Sequence, residues 1–233
     1  MPERLSVRDL SVRFGAASVL RNVDLEVEPG DVIGLVGPNG SGKSTTLRAI
    51  CGLIVPSAGS IEVDGVRYAG RPDRIVAAGV SYVPEGRGIF GGLTVRQNIA
   101  VGALGAGHRL RAPDETRILE LFPRLQPLAD TTAGLLSGGE QQMLAIARGL
   151  AARPTFLLTD ELSLGLSPAM TRSILELLVA QAREHGLGLL LVDQNAALLD
   201  EFCSALHVLR RGELVHSVTA HDAVLREAYF GSA

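Results

Sequence analysis

Residues 37 to 45 read Gly37-Pro38-Asn39-Gly40-Ser41-Gly42-Lys43-Ser44-Thr45. The spacing is G-x-x-x-x-G-K-[ST], the pattern of a phosphate-binding loop. Glycines let backbone amides crowd against phosphate oxygens with no Cβ in the way. Those amides, with the N-terminus of a following helix, offer positive partial charge to an anion. Lys43 has the reach for β- and γ-phosphates, and the Ser44 hydroxyl is placed to ligate Mg²⁺. The flanks agree. Asp31-Val32-Ile33-Gly34-Leu35-Val36 suits a buried strand, and Thr45 to Ile50 opens a helical pattern, so the loop falls where strand meets helix. The expected ligand is a nucleoside triphosphate.

A second buried-type strand, Thr155-Phe156-Leu157-Leu158-Thr159, ends on Asp160-Glu161. Alone, such a pair also fits the acidic cap of a surface strand. Beside a phosphate loop, Asp160 is expected to hold the Mg²⁺ water shell. Glu161, on the other side of the backbone, can take a proton from water attacking the γ-phosphate, work typically worth about 10²–10⁴ in rate. Leu189 to Val192 is a third core strand, ending at Asp193-Gln194.

The start of the chain reads as mostly antiparallel strand. Val23, Leu25 and Val27 alternate with polar residues. Pro29-Gly30 suits a type II turn, and Asp64-Gly65 closes a hairpin between Ile61-Glu62-Val63 and Val66-Arg67-Tyr68. From about Arg87 to Leu150 the pattern turns helical. Thr94 and Gln97 form a capping box opening a helix through Val101, Gly102 to Gly107 reads as a loop, and further helices cover Pro113 to Leu121 and Gly138 to Ala152. Ser167-Pro168 caps a helix running to a stop near Gly186, a hairpin turns at Arg210-Arg211-Gly212, and a short helix over Asp222 to Tyr229 closes the chain. Strands alternating with helices indicate an α/β core, residues 1–86 and 151–233, with residues 87–150 as an inserted helical subdomain.

Bulk properties narrow the function. The 233 residues are 46% hydrophobic and 20% charged, as in a globular protein, and the net charge of −3 gives no basic face for nucleic acid. Apolar stretches such as Leu187 to Val192 are far shorter than the ~20 residues of a membrane span, and Met1-Pro2-Glu3-Arg4 lacks a signal-peptide core. The expectation is a protein that stays out of the bilayer. Cys51 and Cys203 read as buried free thiols in a reducing compartment. The five histidines form no ligand pattern and read as surface or loop residues.

Leu136-Ser137-Gly138-Gly139-Glu140-Gln141-Gln142 resembles the LSGGQ signature of ABC-type ATPases. Ser137 and two glycines at a helix N-terminus make a second anion site. One chain has no use for two triphosphate-binding ends, but two chains placed head to tail do. The resemblance covers nearly the whole chain. It implies a P-loop NTPase of the ABC type, an α/β core with an antiparallel β subdomain and an inserted helical subdomain, that binds ATP and Mg²⁺. It further implies that Ser137, Gly138, Gly139 and Glu140 serve the partner subunit's ATP, and that Phe14 stacks on adenine, a residue that would otherwise be core.

Tyr82-Val83-Pro84-Glu85-Gly86-Arg87-Gly88-Ile89-Phe90, with Leu93-Thr94-Val95, is similar to the ATP-binding subunits of branched-chain amino-acid importers. So are Ser163-Leu164-Gly165-Leu166-Ser167-Pro168, Val192-Asp193-Gln194-Asn195 and the tail Arg226-Glu227-Ala228-Tyr229. The resemblance makes Glu85 the residue that links Mg²⁺ and attacking water to the membrane partner, where most ABC ATPases carry Gln. It implies a peripheral protein on the cytoplasmic face, working with a second ATP-binding subunit, two permeases and, indirectly, an extracytoplasmic solute-binding protein, with residues 81–104 facing the permease. A urea, amide or other small-solute importer fits the same ATPase, and a soluble ABC ATPase acting on nucleic acid or ribosomes fits less well. Four positions depart from the family pattern. Gln194, a catalytic candidate, stands where His is usual and can donate a hydrogen bond to the γ-phosphate but cannot hold a positive charge; Leu162 replaces a proline that would pre-set a turn; Thr159 buries a hydroxyl that must find a partner; Ser167 replaces an aspartate that speaks across the dimer.

Overall fold

The computed structural model describes residues 4–219. Its centre is a parallel sheet in which β3 (Val32–Val36), β6 (Val80–Val83), β7 (Phe156–Asp160), β8 (Gly188–Asp193) and β9 (Ala205–Arg210) lie in the order β9-β3-β8-β7-β6, with β10 (Glu213–Thr219) antiparallel at the β9 edge. Beside it stands an antiparallel sheet, β2-β1-β4-β5, formed by β1 (Leu5–Phe14), β2 (Ala17–Val27), β4 (Ala58–Val63) and β5 (Val66–Arg67). The turn at Pro29-Gly30 closes with Asp31 N–H donating to the Glu28 carbonyl at 3.1 Å, and Asp64 and Gly65 both take the left-handed φ of a two-residue hairpin.

The apolar runs of the parallel strands follow from their burial on both faces. Along β7, Phe156 and Leu158 join one core and Leu157 the other; along β8, Leu190 and Val192 separate likewise from Leu189 and Leu191. The first core lies against the antiparallel sheet and α1 (Lys43–Ile50). The second lies under α3 (Val95–Gly105), α4 (Ala112–Leu121), α5 (Gly138–Ala151) and α6 (Pro168–His185). In sequence α3, α4 and α5 fall between the neighbouring strands β6 and β7. Two shorter helices, α2 (Pro72–Ala77) and α7 (Ala196–Asp200), complete the described chain.

Two expectations need correction. The segment read as a loop from Gly102 continues α3 to Gly105, and the reason is packing. A Cβ at Gly102 would lie 2.0 Å from the Arg148 carbonyl oxygen, so the glycine marks where α3 closes on α5, not where the helix stops. One histidine departs from the surface-or-loop expectation: His207 sits half-buried in β9, whereas His108 lies in the loop after α3, with Nε2 buried and Nδ1 2.9 Å from the Ala103 carbonyl. Both cysteines are free and buried. The helix expected over Asp222 to Tyr229, the tail match and His221 lie outside the described residues. Among the described residues no helix is long and apolar enough to cross a membrane.

Strand register decides where a site can form. In parallel pairing Val36 stands beside Asp193, Val192 beside Asp160 and Val83 beside Thr159. The loops leaving β3, β6, β7 and β8 therefore emerge from one edge of the sheet, where open α/β sheets form their ligand crevice.

Candidate functional site

The loop after β3 turns into α1 through Gly42, whose φ of 112° is closed to residues with a Cβ. Helices α3, α5, α6 and α7 are each capped by a side chain, from Thr94, Ser137, Ser167 and Asn195. Helix α1 has no side-chain cap and no acidic residue in its first turn. Its first amides lack an intrahelical partner and point out of the loop, the arrangement an anion completes. Lys43 is 5% exposed, and its Nζ donates to the carbonyls of Gly37 and Pro38 at 2.8 and 3.4 Å. The buried Ser41 hydroxyl has no hydrogen-bond partner among the described residues. A cation folded onto its own loop, an uncapped helix and an orphaned hydroxyl all fit a phosphate chain.

The acidic pair divides as its strand position requires. Asp160 continues the face of Phe156 and Leu158, toward α1; its Oδ1 accepts from Ser44 Oγ and its Oδ2 from Tyr82 Oη, both at 3.1 Å. Burial pushes the Asp160 carboxyl above its usual range, against the lowering from those two hydroxyls. The same burial, with the Asp160 charge beside it, pushes the Tyr82 phenol up. Glu161 follows in the left-handed region at φ 49°, a conformation costing a residue with a side chain about 1–2 kcal/mol. Its carboxylate accepts from Gln194 Nε2 at 2.8 and 3.0 Å and stands 3.9 Å from Lys43 Nζ.

Asn39, Gly40, Gly42, Lys43, Ser44 and Thr45 line one open cleft of about 490 Å³ with Glu85, Glu161 and Gln194, and Ser44 joins that cleft to Asp160. Gly37 and Pro38 take part through the carbonyls that hold Lys43. Phe14 and the segment Ser137 to Glu140 are not among the residues lining the cleft. Phe14 is 53% exposed at the tip of the β1–β2 hairpin, whose second strand lends Val19 to the cleft wall. Gly138 and Gly139 are half-buried: the Arg87 guanidinium lies over the first and Met170 over the second, where a Cβ would meet Sδ at 2.3 Å. Glu140 Oε2 accepts from both the N–H and the hydroxyl of Ser137, each at 2.8 Å, so this helix end already holds a carboxylate.

Glu85 is exposed, but the loop behind it is fastened to α5. Arg148 donates to the carbonyls of Arg87 and Gly88 and lies over the Phe90 ring at 5.6 Å, while Arg87 Nη1 donates to Gln141 Oε1 at 2.9 Å. Tyr82, Val19, Leu164 and Asp193 carry no role legible from their own residue types. Strand parity on β6 carries a signal for Tyr82, since its ring points to the α1 side like Asp160. Val19 reaches the cleft from β2, which belongs to the other sheet, and Leu164 from the loop after β7.

The ABC transporter family model matches residues 20–163, well over half of the chain and spanning the loop, Glu85, Ser137 to Glu140 and the acidic pair. The chain belongs to the ABC transporter family. It is an ATP-binding cassette, an ATP hydrolase of the ABC type and an ATPase subunit of a transporter. The cassette is 38% identical over 232 residues to the high-affinity branched-chain amino acid transport ATP-binding protein BraG of Pseudomonas aeruginosa, covering 97% of this chain and 99% of that one. It is 32% identical over 235 residues to the lipopolysaccharide export system ATP-binding protein LptB of Escherichia coli, covering 97% of each. A solved ATP-binding subunit of an ABC transporter superposes with a TM-score of 0.84 at 29% identity, covering 97% of the cassette and 93% of that chain.

Proposed function

We propose that this cassette powers an importer for branched-chain or other hydrophobic amino acids. The observation that carries the reading is its likeness to BraG along nearly the full length of both chains. The export protein LptB is also 32% identical, so the substrate rests on the degree of likeness and on local matches such as Glu85 and Gln194-Asn195.

In this reading the amides of Asn39 to Thr45 and the Lys43 ammonium hold the β- and γ-phosphates, and Ser41 donates its orphaned hydroxyl to them. Phe14, exposed on the neighbouring hairpin, stacks on adenine. Ser44, Asp160 and Glu85 are an all-oxygen set suited to Mg²⁺, and no group of three or more acidic, His or Cys residues forms a closed metal cage among the described residues. The ion, when bound, neutralises charge developing on the transferred phosphoryl oxygens. Glu161 takes the proton of the attacking water, and Gln194 fixes the plane of its carboxylate by donating to both oxygens. An amide there orients without titrating, so no step requires a protonated imidazole.

Ser137, Gly138, Gly139 and Glu140 do not line this chain's own cleft, which supports their use on the ATP of a partner subunit, a second copy or a related cassette. Donation to that phosphate requires the Ser137 hydroxyl to turn from Glu140, since it carries one hydrogen. Residues 87–150 then act as a helical subdomain on a core of residues 1–86 and 151–233. Phe90, Leu104 and Leu135 are 49%, 58% and 80% exposed, apolar surface suited to a permease that holds the cassette at the cytoplasmic face. The extracytoplasmic binding protein meets it only through that permease. The net charge of −3 offers nucleic acid no footing.

Uptake of labelled leucine in a strain lacking this chain tests the proposal. Loss of uptake, restored by the parent gene, is expected. Intact leucine uptake with loss of urea or another solute would assign a different cargo.

A further inference from the structure

Beneath Glu161 and Gln194 lies a carboxylate that the proposed chemistry leaves without a task. Asp193, 3% exposed, ends β8 next to the tip of β7. Its Oδ2 accepts from the Ser163 N–H at 3.0 Å, and its Oδ1 accepts from the Ser163 hydroxyl at 2.9 Å and the Asn195 N–H at 3.0 Å. One side chain thus ties the loop carrying Glu161 to the loop carrying Gln194.

The tie answers a need visible in the backbone. Glu161 holds φ at 49°, where a residue with a side chain stays only if its surroundings over-determine it. Residue 162 is Leu; a proline there would push its predecessor toward extended backbone, so the left-handed Glu161 and Leu162 go together. Leu162 is 2% exposed and anchors by burial, but an apolar contact sets no direction for the carboxylate one residue earlier. Direction comes from the Glu161 N–H, which donates to the Val192 carbonyl at 2.8 Å, from the Asp193 grip on Ser163, and from Gln194 on the carboxylate itself. All three come from consecutive residues, Val192, Asp193 and Gln194, at the end of β8 and its exit.

We infer that Asp193 is a positioning residue: by gripping Ser163 and Asn195 it holds Glu161 and Gln194 in the mutual geometry that aims the base at the attacking water. This rests on Glu161 being that base. Asp193→Asn places an amide donor against N–H donors and breaks the grip while keeping side-chain volume. Misplacing a reacting group by about 1 Å costs about 100-fold, so kcat is expected to fall about 10- to 100-fold with the dissociation constant for ATP unchanged. Ser163→Ala, which removes only the hydroxyl bond, gives a smaller loss with the same split and serves where the Asn variant folds poorly.

The deciding arm repeats Asp193→Asn in a Glu161→Gln background, measured as single-turnover phosphate release. A residue acting through Glu161 adds no further loss there. Equal losses in both backgrounds, or weakened ATP binding in place of slowed turnover, would make Asp193 a general structural support and overturn the inference. Full activity of Asp193→Asn beside a slow Glu161→Gln would also overturn it while sparing the base assignment. Full activity of Glu161→Gln alone would remove the base assignment itself.

Discussion

Thr159→Val is expected to stabilise the cassette. Thr159 is fully buried in β7, paired across the sheet with Val83 and Leu191, and its Oγ1 has no hydrogen-bond partner among the described residues. Its side chain shares the face of Leu157, against the core of α5 and α6. A buried hydroxyl without a partner costs about 1–3 kcal/mol, and valine keeps the branched shape without it. In a domain of this size each kcal/mol moves Tm by about 2–4 °C, so a rise of roughly 2–12 °C is expected. Urea unfolding should move its midpoint upward with an unchanged slope, and ATP hydrolysis should persist because the substituted atom faces away from the cleft. An unchanged or lowered midpoint would mean that the hydroxyl is satisfied, by a buried water or otherwise, and would refute the reasoning.

Burial draws the His207 imidazole below its ordinary value. The unfolded chain then binds a proton that the folded chain refuses, so the contribution of His207 to stability is constant above about pH 6.5 and is lost as pH falls toward the folded value. Denaturation midpoints measured across that window should show the decline, and His207→Gln should flatten it. Burial pushes the Cys203 thiol up to about 12 and raises the Cys51 thiol as well, so neither should react with iodoacetamide near pH 8 until denaturant is added. Rapid labelling of the folded cassette would contradict the buried placement.

Features that depend on a local pattern are legible in the amino-acid order itself. The phosphate loop, the strand ending at Asp160, the Thr94 and Ser167 caps and the Asp64-Gly65 hairpin each rest on residues adjacent in sequence. What escapes such reading depends on a distant neighbour. Gly102 reads as a loop glycine until Arg148 is seen against it, and Gly139 reads as one more signature residue until Met170 is seen over it. That a buried Thr159 needs a partner follows from its place in an apolar strand; that it has none depends on what packs around it. The φ of Glu161 and the Asp193 grip belong to two strand tips brought together by parallel pairing, which no window of sequence displays.

The central claim is that a triphosphate held by Lys43 and its loop is cleaved by water that Glu161 deprotonates. Steady-state phosphate release by Glu161→Gln, measured beside its affinity for ATP, tests it most directly. The expected result is unchanged affinity with turnover slowed about 10²- to 10⁴-fold. Hydrolysis at the parent rate would contradict it.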